Sequence, residues 1–184
     1  MRVSEFNFEL PSELIAQKPI RRRDHSRMMI LDRKRKTIEH TRFFHFPDYF
    51  NDGDVLVLNE SKVIPARVWG RIEEREIEFL FLREVRPCIW EVLCRPARVV
   101  NKGKKVIFSN HLLGRVKEEE KEGKRILEFS SPDVLLELEK IGYPPLPPYI
   151  KRQKRQQKLK EMDLRRYQTV YAKEKGSIAA PTAG

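Results

Sequence analysis

Residues 67–83 read RVWGRIEEREIEFLFLR and contain two short runs rich in β-branched and aromatic residues. In the second run Ile77, Phe79 and Phe81 lie on one face of a strand and Glu78 lies on the other, although intervening leucines interrupt the alternation. Similar runs follow along the chain and are separated by turns. The pattern predicts strands at residues 67–72, 76–83, 89–95, 104–108, 112–118 and 124–129.

Six short strands in one continuous stretch are typical of a small all-β module, either a barrel or a sandwich. A sheet that closes on itself leaves no unpaired edge strand, which removes a site of unwanted association. We therefore assign residues 66–130 to a roughly six-stranded β-barrel, with a sandwich as the alternative.

The segments on either side of this module have a different pattern. Before it, apolar runs predict buried strands at 28–31 and 55–58, and a further strand is predicted near 37–41. After it, Ser131 and Gly142 are typical of the start and end of a helix. An all-β module set between segments with helices and buried strands is the pattern of an inserted domain.

The predicted fold class is a multidomain protein, in which a large mixed α/β domain is interrupted by the inserted barrel. Residues 144–148 form a stiff Pro-rich segment, and residues 153–175 are predicted to be mostly helical and exposed. The predicted division is residues 1–65 for the first part of the α/β domain, 66–130 for the barrel, and 131–184 for the return segment.

The net charge of +11 is concentrated in two tracts. Residues 18–36 carry +7 and residues 150–166 carry +6, which leaves −2 for the rest of the chain. Clustered positive charge favours a polyanion such as RNA, because each neutralised phosphate releases condensed counterions. A solvated helical face in the second tract and a membrane surface are alternatives, although neither tract has a clear apolar face. The candidate nucleic-acid-binding residues are Arg21, Arg22, Arg23, Arg27, Lys151, Arg152, Lys154 and Arg155.

Composition and spacing exclude several classes of protein. A hydrophobic fraction of 40% argues against disorder, and no apolar run approaches the roughly 18 residues of a membrane-spanning helix. The first residues lack the apolar stretch of a signal peptide, so we expect a cytoplasmic protein. A charged fraction of 35% is common in heat-adapted proteins. The widely spaced glycines exclude a P-loop and a dinucleotide fingerprint, and no metal site is expected from the histidines and cysteines.

Three stretches carry unusual polar or aromatic groups. Residues 59–67 place polar side chains after a predicted buried strand, where α/β proteins often bind ligands, but a simple strand and turn explains them equally well. Tyr167 and Tyr171 are four residues apart on one predicted helical face, a spacing that serves base stacking or, more often, packing. Residues 180–184 allow close backbone approach to a ligand or form a frayed tail. Spacing alone identifies no catalytic group.

Four blocks of the sequence resemble one enzyme family. They are RDHSR at 23–27, GDVLVLNESKVIPARVWG at 53–70, GYPPLPPYIKR at 142–152 and DLRRYQTVYAKEKGSIAAPTAG at 163–184. Together they resemble the S-adenosylmethionine:tRNA ribosyltransferase-isomerase family of queuosine biosynthesis. The departures are mild: ESK at 60–62, where the family often has Asp-Thr-Arg, and Tyr143, where His is common.

The resemblance implies an all-β barrel inserted in a larger mixed α/β domain, in agreement with the pattern of strands. It also implies that the ribosyl moiety of S-adenosylmethionine is transferred and isomerised onto 7-aminomethyl-7-deazaguanine at the tRNA wobble position, giving epoxyqueuosine-tRNA with release of adenine and methionine. S-adenosylmethionine is then a ribosyl donor rather than a methyl donor. This is consistent with the widely spaced glycines, which also exclude the Gly-rich loop of Rossmann-type methyltransferases, and no metal is implied. Family members continue beyond the PTAG motif, so we expect this chain to correspond to about the N-terminal half, to be inactive alone, and to be monomeric.

The matching blocks also supply a candidate substrate site. The implied chemistry requires a base that removes a proton from the ribose methylene next to the sulfonium, a donor at the leaving adenine, and aromatic faces near the sulfonium cation. No residue is assigned as the base. A reading of a different class, which composition alone favours, is a non-catalytic RNA-binding β-barrel with basic arms. The residues expected to line the joint substrate site are Asn59, Arg67, Tyr167, Gln168, Tyr171 and Thr182.

Overall fold

The computed structural model describes residues 2–153 and 157–181 of the chain. The strands β1 to β10 are Arg27–Asp32, Thr37–Arg42, Ser61–Val63, Arg67–Ile72, Arg75–Arg86, Ile89–Arg95, Lys105–Ile107, Leu113–Glu119, Lys124–Phe129 and Glu174–Ser177. The α-helices α1 and α2 are Val134–Ile141 and Gln157–Arg166. Short 3-10 helices lie at Val3–Phe6, Ser12–Leu14, Arg23–His25, Phe43–Tyr49, Ala97–Val99 and Lys121–Gly123.

Six strands close into a barrel in the order β4-β5-β6-β9-β8-β7, and every neighbouring pair is antiparallel. Strand β4 pairs with β5 along its whole length and closes the ring against β7 at Arg71 and Ile107. The predicted six-stranded barrel is confirmed, and the sandwich alternative is wrong. The observed strands match the predicted ones within a few residues.

Alternate residues of each strand fill the barrel interior. In β5, Ile77, Phe79 and Phe81 are at most 1% exposed. Leu80, which lies between two of them, faces outward but is still partly buried and packs against the core. This outer packing explains why the alternation of apolar and polar residues in the sequence is imperfect.

Helix α1 packs on the barrel core through an apolar face. Val134 and Leu138 are at most 1% exposed and belong to the same cluster as the barrel interior. The chain leaves the helix at Gly142, where a β-carbon would lie 2.0 Å from the carbonyl oxygen of Pro65. Only glycine permits this approach, so Gly142 brings the residues after α1 against the start of β4.

The prediction that residues 153–175 are mostly helical is wrong beyond Arg166. After α2 the chain turns and enters β10, which pairs in parallel with β3. The side-chain amide of Gln168 bonds both backbone groups of Val63: Oε1 accepts from the N–H at 2.8 Å, and Nε2 donates to the carbonyl at 2.7 Å. These bonds stabilise a non-helical segment beside β3.

The chain divides into two compact units. One contains the described residues up to Val57 together with Pro148–Lys151, and the other contains Leu58–Pro147 and the described residues from Arg152 onward. Strands β1 and β2 form a two-stranded antiparallel hairpin in the first unit. The barrel, the β3–β10 pair and both α-helices belong to the second. The large mixed α/β domain and its predicted boundaries stay predictions.

Two expectations for the first unit are wrong. The apolar run at 55–58 forms no strand, and Val55 and Val57 are more than 80% exposed. Strand β1 forms as predicted, but Met29 and Leu31 are 58% and 62% exposed rather than buried. The reason is that burial needs a second layer, which a two-stranded hairpin does not supply.

Candidate functional site

A cleft of about 360 Å³ lies on the outer surface of the barrel within the second unit. Its floor consists of outward-facing residues of β4, β5 and β6, and its rim consists of the segment after α1 and one face of α2. It is lined by Arg67, Trp69, Glu76, Glu78, Arg95, Tyr143, Pro144, Leu146, Arg152, Gln153, Lys160 and Asp163.

Strand register and one backbone bridge bring the aromatic groups of this cleft together. Trp69 faces outward from β4, because its neighbours in the strand are buried inside the barrel. Arg67 and Tyr143 exchange two backbone hydrogen bonds of 3.1 and 2.8 Å, which fix the return segment along β4. As a result the rings of Trp69 and Tyr143 meet edge to face, with centroids 5.1 Å apart. Such a pair presents aromatic surface to a bound molecule.

Arg67 connects the barrel floor to the rim of the cleft. Its Nη2 donates to the carbonyl of Leu146 at 3.0 Å, and its Nε lies 3.4 Å from Oε1 of Glu78. The Nε atom is itself buried and makes no hydrogen bond among the described residues, so its contact with Glu78 is an ion pair without a hydrogen bond. The guanidinium therefore keeps one buried donor at the cleft.

A mostly buried ion pair anchors α2 to the segment before it. Arg152 donates to both carboxylate oxygens of Asp163, with distances of 2.7 and 3.0 Å. The side chains are 16% and 7% exposed. The hydrogen bond to Asp163 raises the pKa of Arg152, so this guanidinium stays charged. The pair fixes the helix turn that carries Lys160.

Lys160 is the buried cation of the cleft, with an exposed fraction of 9%. Its Nζ lies 4.6 Å from the ring centroid of Tyr143 and donates to the carbonyl of Lys140 at 3.2 Å. Burial lowers the pKa of Lys160, because desolvation penalises the charged amine. Within the described part of the chain, no carboxylate forms an ion pair with it.

A protein-family model described as "Queuosine biosynthesis protein" matches residues 3–184. The chain belongs to this family. A curated relative from Thermotoga petrophila, an S-adenosylmethionine:tRNA ribosyltransferase-isomerase, is 49% identical over the whole chain. A relative of the same name from Thermosipho melanesiensis is 45% identical, and in both cases the match covers 100% of this chain and 52% of the relative.

A crystal structure of an S-adenosylmethionine tRNA ribosyltransferase from Thermotoga maritima is 41% identical to this chain. The match covers 86% of this chain and 54% of that one, with a TM-score of 0.40. The chain thus spans about half the length of the curated relatives it matches. These members of the queuosine biosynthesis family come from thermophiles, in keeping with the highly charged composition.

Of the predicted substrate-site residues, Arg67 lies in the cleft. Asn59 is exposed before β3, where its Oδ1 accepts hydrogen bonds from the backbone N–H and the hydroxyl of Ser61. The Gln168 amide binds the backbone of Val63. Thr182 lies outside the described residues.

The two tyrosines do not share a helical face, because α2 ends at Arg166. Tyr167 and Tyr171 are half-buried in the turns between α2 and β10. The expectation of a helical Tyr pair is therefore wrong, whereas their membership in the substrate site stays a prediction.

The candidate nucleic-acid-binding residues fall into three groups. Arg21, Arg22 and Arg27 are exposed in the first unit, where Arg22 pairs with Asp24 at 2.9 Å, and Arg23 is half-buried there. Lys151 is exposed at the end of that unit, whereas Arg152 begins the return to the other unit and is engaged by Asp163. Lys154 and Arg155 lie outside the described residues. The idea that both tracts bind one polyanion stays a prediction.

Sequence reasoning did not select Trp69, Tyr143 or Lys160 as site residues. Trp69 carried a usable signal, since alternation along 67–72 places it on the outer face of the strand. Tyr143 stood inside a block that resembles the family. Lys160 was counted only as one charge of a basic tract, and nothing in the spacing shows that it is buried.

The described residues contain no cluster of three or more His, Cys, Asp or Glu side chains arranged to hold a metal ion. None of the helices found there has the length and apolar character needed to cross a membrane.

Proposed function

We propose that this chain takes part in transferring the ribosyl moiety of S-adenosylmethionine to tRNA. The acceptor is 7-aminomethyl-7-deazaguanine at the wobble position, and the products are epoxyqueuosine-tRNA, adenine and methionine. The observation that carries the proposal is the family match over residues 3–184, together with relatives at 45–49% identity that bear the name of this enzyme. The reaction makes the protein a transferase and isomerase with S-adenosylmethionine as a consumed substrate.

Aromatic and acidic groups of the cleft support the proposal of a sulfonium substrate. The edge-to-face pair of Trp69 and Tyr143 offers aromatic surface, and a sulfonium cation is better stabilised by such surface than by additional lysine or arginine. Glu76 and Glu78 place carboxylates on the same floor, and Glu78 is in contact with Arg67. Carboxylates and aromatic rings side by side suit a ligand that carries positive charge.

The substrate-site proposal keeps Asn59, Arg67, Tyr167, Gln168, Tyr171 and Thr182. Within that set Arg67 is supported as a direct contact, because it lies in the cleft and keeps a buried donor there. Gln168 is proposed as a positioning residue, because its amide already bonds Val63 and so fixes the segment that carries both tyrosines. The base that removes the ribose methylene proton stays unassigned.

The tRNA partner is supported by the charge distribution. Two tracts hold more than the whole net charge of +11, and positive charge in tracts binds the phosphate backbone. We propose that the protein is cytoplasmic, because its tRNA substrate would be found there. We also propose that it is a monomer.

Product release tests the activity directly. Adenine and methionine are measured by liquid chromatography after incubation with S-adenosylmethionine and tRNA carrying the precursor base. Release that depends on the precursor base supports the proposal, and tRNA that lacks this base is the control. Binding of tRNA without adenine release would instead identify a non-catalytic RNA-binding barrel. The same assay tests the expectation that these 184 residues are inactive alone, by comparison with the full-length Thermotoga maritima relative.

Charge reversal tests the RNA interface. Arg21→Glu combined with Arg22→Glu should weaken tRNA binding and flatten its dependence on salt, because fewer counterions are released. Lys121→Glu, at an exposed turn of the barrel, is the control and should leave the salt dependence nearly unchanged. Equal effects of the two variants would mean that residues 18–36 form no specific RNA contact.

A further inference from the structure

The cleft contains an unusual electrostatic arrangement around Lys160. Most charged groups on its walls are already matched: Arg67 lies against Glu78, and Arg152 is held by Asp163. Lys160 differs, because it is about nine-tenths buried and its described partners are a backbone carbonyl and an aromatic face. Buried charges in proteins are normally paired with an opposite charge.

Asp163, the carboxylate of α2 that lines the cleft, does not serve Lys160. Asp163 is one turn further along α2, and both of its oxygens accept hydrogen bonds from Arg152. A carbonyl and a π face each stabilise an ammonium group less than a carboxylate does. The position of Lys160 is nonetheless fixed, since the Arg152–Asp163 pair and the contact with Tyr143 hold the helix and the ring in place.

The cations near Lys160 point to the same kind of ligand. Arg67 makes no hydrogen bond through its buried Nε, although Oε1 of Glu78 lies 3.4 Å from that atom, and Arg95 lines the cleft without forming an ion pair among the described residues. Arg95 lies directly across from Glu78 in the strand register, and Glu78 is already in contact with Arg67. Among the described residues, four cationic side chains line the cleft against the carboxylates of Glu76, Glu78 and Asp163, so the lining has a surplus of one positive charge.

We infer that Lys160 is the receptor for an oxyanion, a carboxylate or a phosphate, that enters this cleft and takes the place of the missing counter-charge. The inference rests on the proposed function only for the source of the anion. That source is either the amino-acid carboxylate of S-adenosylmethionine or a backbone phosphate of the tRNA. The aromatic pair beside Lys160 would then contact the remainder of the same ligand. Desolvation, which lowers the pKa of Lys160 in the absence of a ligand, would be offset when the anion binds.

Binding measurements with matched lysine variants identify the anion. Lys160→Met removes the charge and keeps the length of the side chain, Lys160→Arg keeps the charge, and Lys158→Met is the control because Lys158 is exposed on the same helix. If the carboxylate is the ligand, Lys160→Met weakens S-adenosylmethionine binding about tenfold or more, the fold-change expected from losing a charge-assisted hydrogen bond. The methyl ester of S-adenosylmethionine should then bind both proteins equally. If a phosphate is the ligand, Lys160→Met weakens tRNA binding and lowers the salt slope by about one.

Chemical labelling tests the inference separately from the proposed function. The wild-type chain is treated with acetic anhydride, and acetylation of Lys160 and Lys158 is compared by mass spectrometry with and without S-adenosylmethionine, tRNA or inorganic phosphate. Protection of Lys160 but not Lys158 by any of these supports an oxyanion site, and protection by phosphate alone supports the site while counting against the proposed substrates. The inference is overturned if none of them protects Lys160, or if Lys160→Met binds like Lys158→Met while circular dichroism shows both variants folded.

Discussion

The barrel and the N-terminal unit both contain apolar strand sequences, but the apolar side chains are buried in the barrel and exposed in the N-terminal unit. In the barrel, Phe79 and Phe81 are fully buried. In the hairpin of the first unit, β1 contains the continuous apolar run 28–31, but Met29 and Leu31 are more than half exposed, and none of residues 2–57 is buried. The difference is closure: six strands enclose an interior, whereas two strands have two open faces. An apolar strand sequence therefore does not by itself predict burial, which depends on the strands and layers around it.

The largest expected effect tests this contrast in the two units directly. Phe81→Ala should lower the free energy of unfolding of the barrel by about 3–5 kcal/mol, because it leaves a cavity among buried rings. Phe8→Ala in the first unit should change it by less than about 0.5 kcal/mol, since Phe8 is 74% exposed. Urea unfolding followed by tryptophan fluorescence measures both, because Trp69 and Trp90 belong to the barrel. Equal losses would mean that Phe8 is packed against other residues in solution.

The same contrast shows what sequence could predict. The sequence predicts all six barrel strands, because six short apolar runs follow one another with turns between them. Residues such as Ile77, Phe79 and Phe81 lie on one face of their strand and need an interior, which a closed set of six strands supplies. The run at 55–58 looked like an even better strand, but its conformation depends on a partner strand that sequence alone does not reveal. A strand could therefore be predicted from sequence where its apolar pattern occurred among neighbouring strands that close into a barrel.

The candidate site was harder to predict, because its residues meet only after the return segment docks on the barrel. Trp69 and Tyr143 are 74 positions apart in sequence and are joined by the backbone bridge between Arg67 and Tyr143. Lys160 is buried because α2 lies at the cleft, and its sequence surroundings indicate an exposed basic run. The resemblance located the right segments, but it did not show which of their side chains face the cleft.

The two basic tracts differ in the burial of their ion pairs: the pair of Arg152 is mostly buried, whereas the pair of Arg22 is exposed. Arg152→Ala should destabilise the second unit by about 3 kcal/mol, since it leaves the buried carboxylate of Asp163 without a partner. Arg22→Ala should leave stability unchanged, because the pair of Arg22 with Asp24 is exposed and such pairs contribute little. Urea unfolding monitored by fluorescence and circular dichroism distinguishes them. If Arg152→Ala unfolds like wild type, the ion pair with Asp163 does not hold α2 and Arg152 is available to bind RNA.

The buried carboxylate of Glu91 should make the stability of the barrel depend on pH. Hydrogen bonds from Arg83 and Lys124 hold the pKa of Glu91 below its ordinary value of 4.5, and Glu91 is 5% exposed on β6. Because the pKa in the folded state is lowered, its contribution is complete above about pH 4.5 and is lost as pH falls through the lower folded value. Glu91→Gln should therefore cost about 1 kcal/mol at pH 7 and progressively less below pH 4.5.

The matched control for this titration lies in the first unit. The hydrogen bond from Arg22 also lowers the pKa of Asp24, but this carboxylate is solvent-accessible, so Asp24→Asn should produce no measurable difference in unfolding between pH 7 and pH 3. Thermal unfolding of both variants beside wild type measures the two effects. A constant difference between Glu91→Gln and wild type across this range would show that Glu91 stabilises the barrel without being ionised.

The smallest expected effect is on the exposed hairpin, and it tests most directly whether the apolar side chains of the first unit are exposed. Leu31 faces Ile38 across the hairpin, and both are more than 60% exposed. Leu31→Lys should leave the free energy of unfolding of the barrel within about 0.5 kcal/mol of wild type, because substitutions at exposed positions rarely change it by more. Gly114→Leu is a useful opposite, since a β-carbon there already lies 3.0 Å from the ring of Phe129 and a larger side chain has no space. If Leu31→Lys instead lowered barrel stability as Gly114→Leu does, the apolar face of β1 would be buried in solution. The contrast between an enclosed and an open strand pair would then no longer separate the two units.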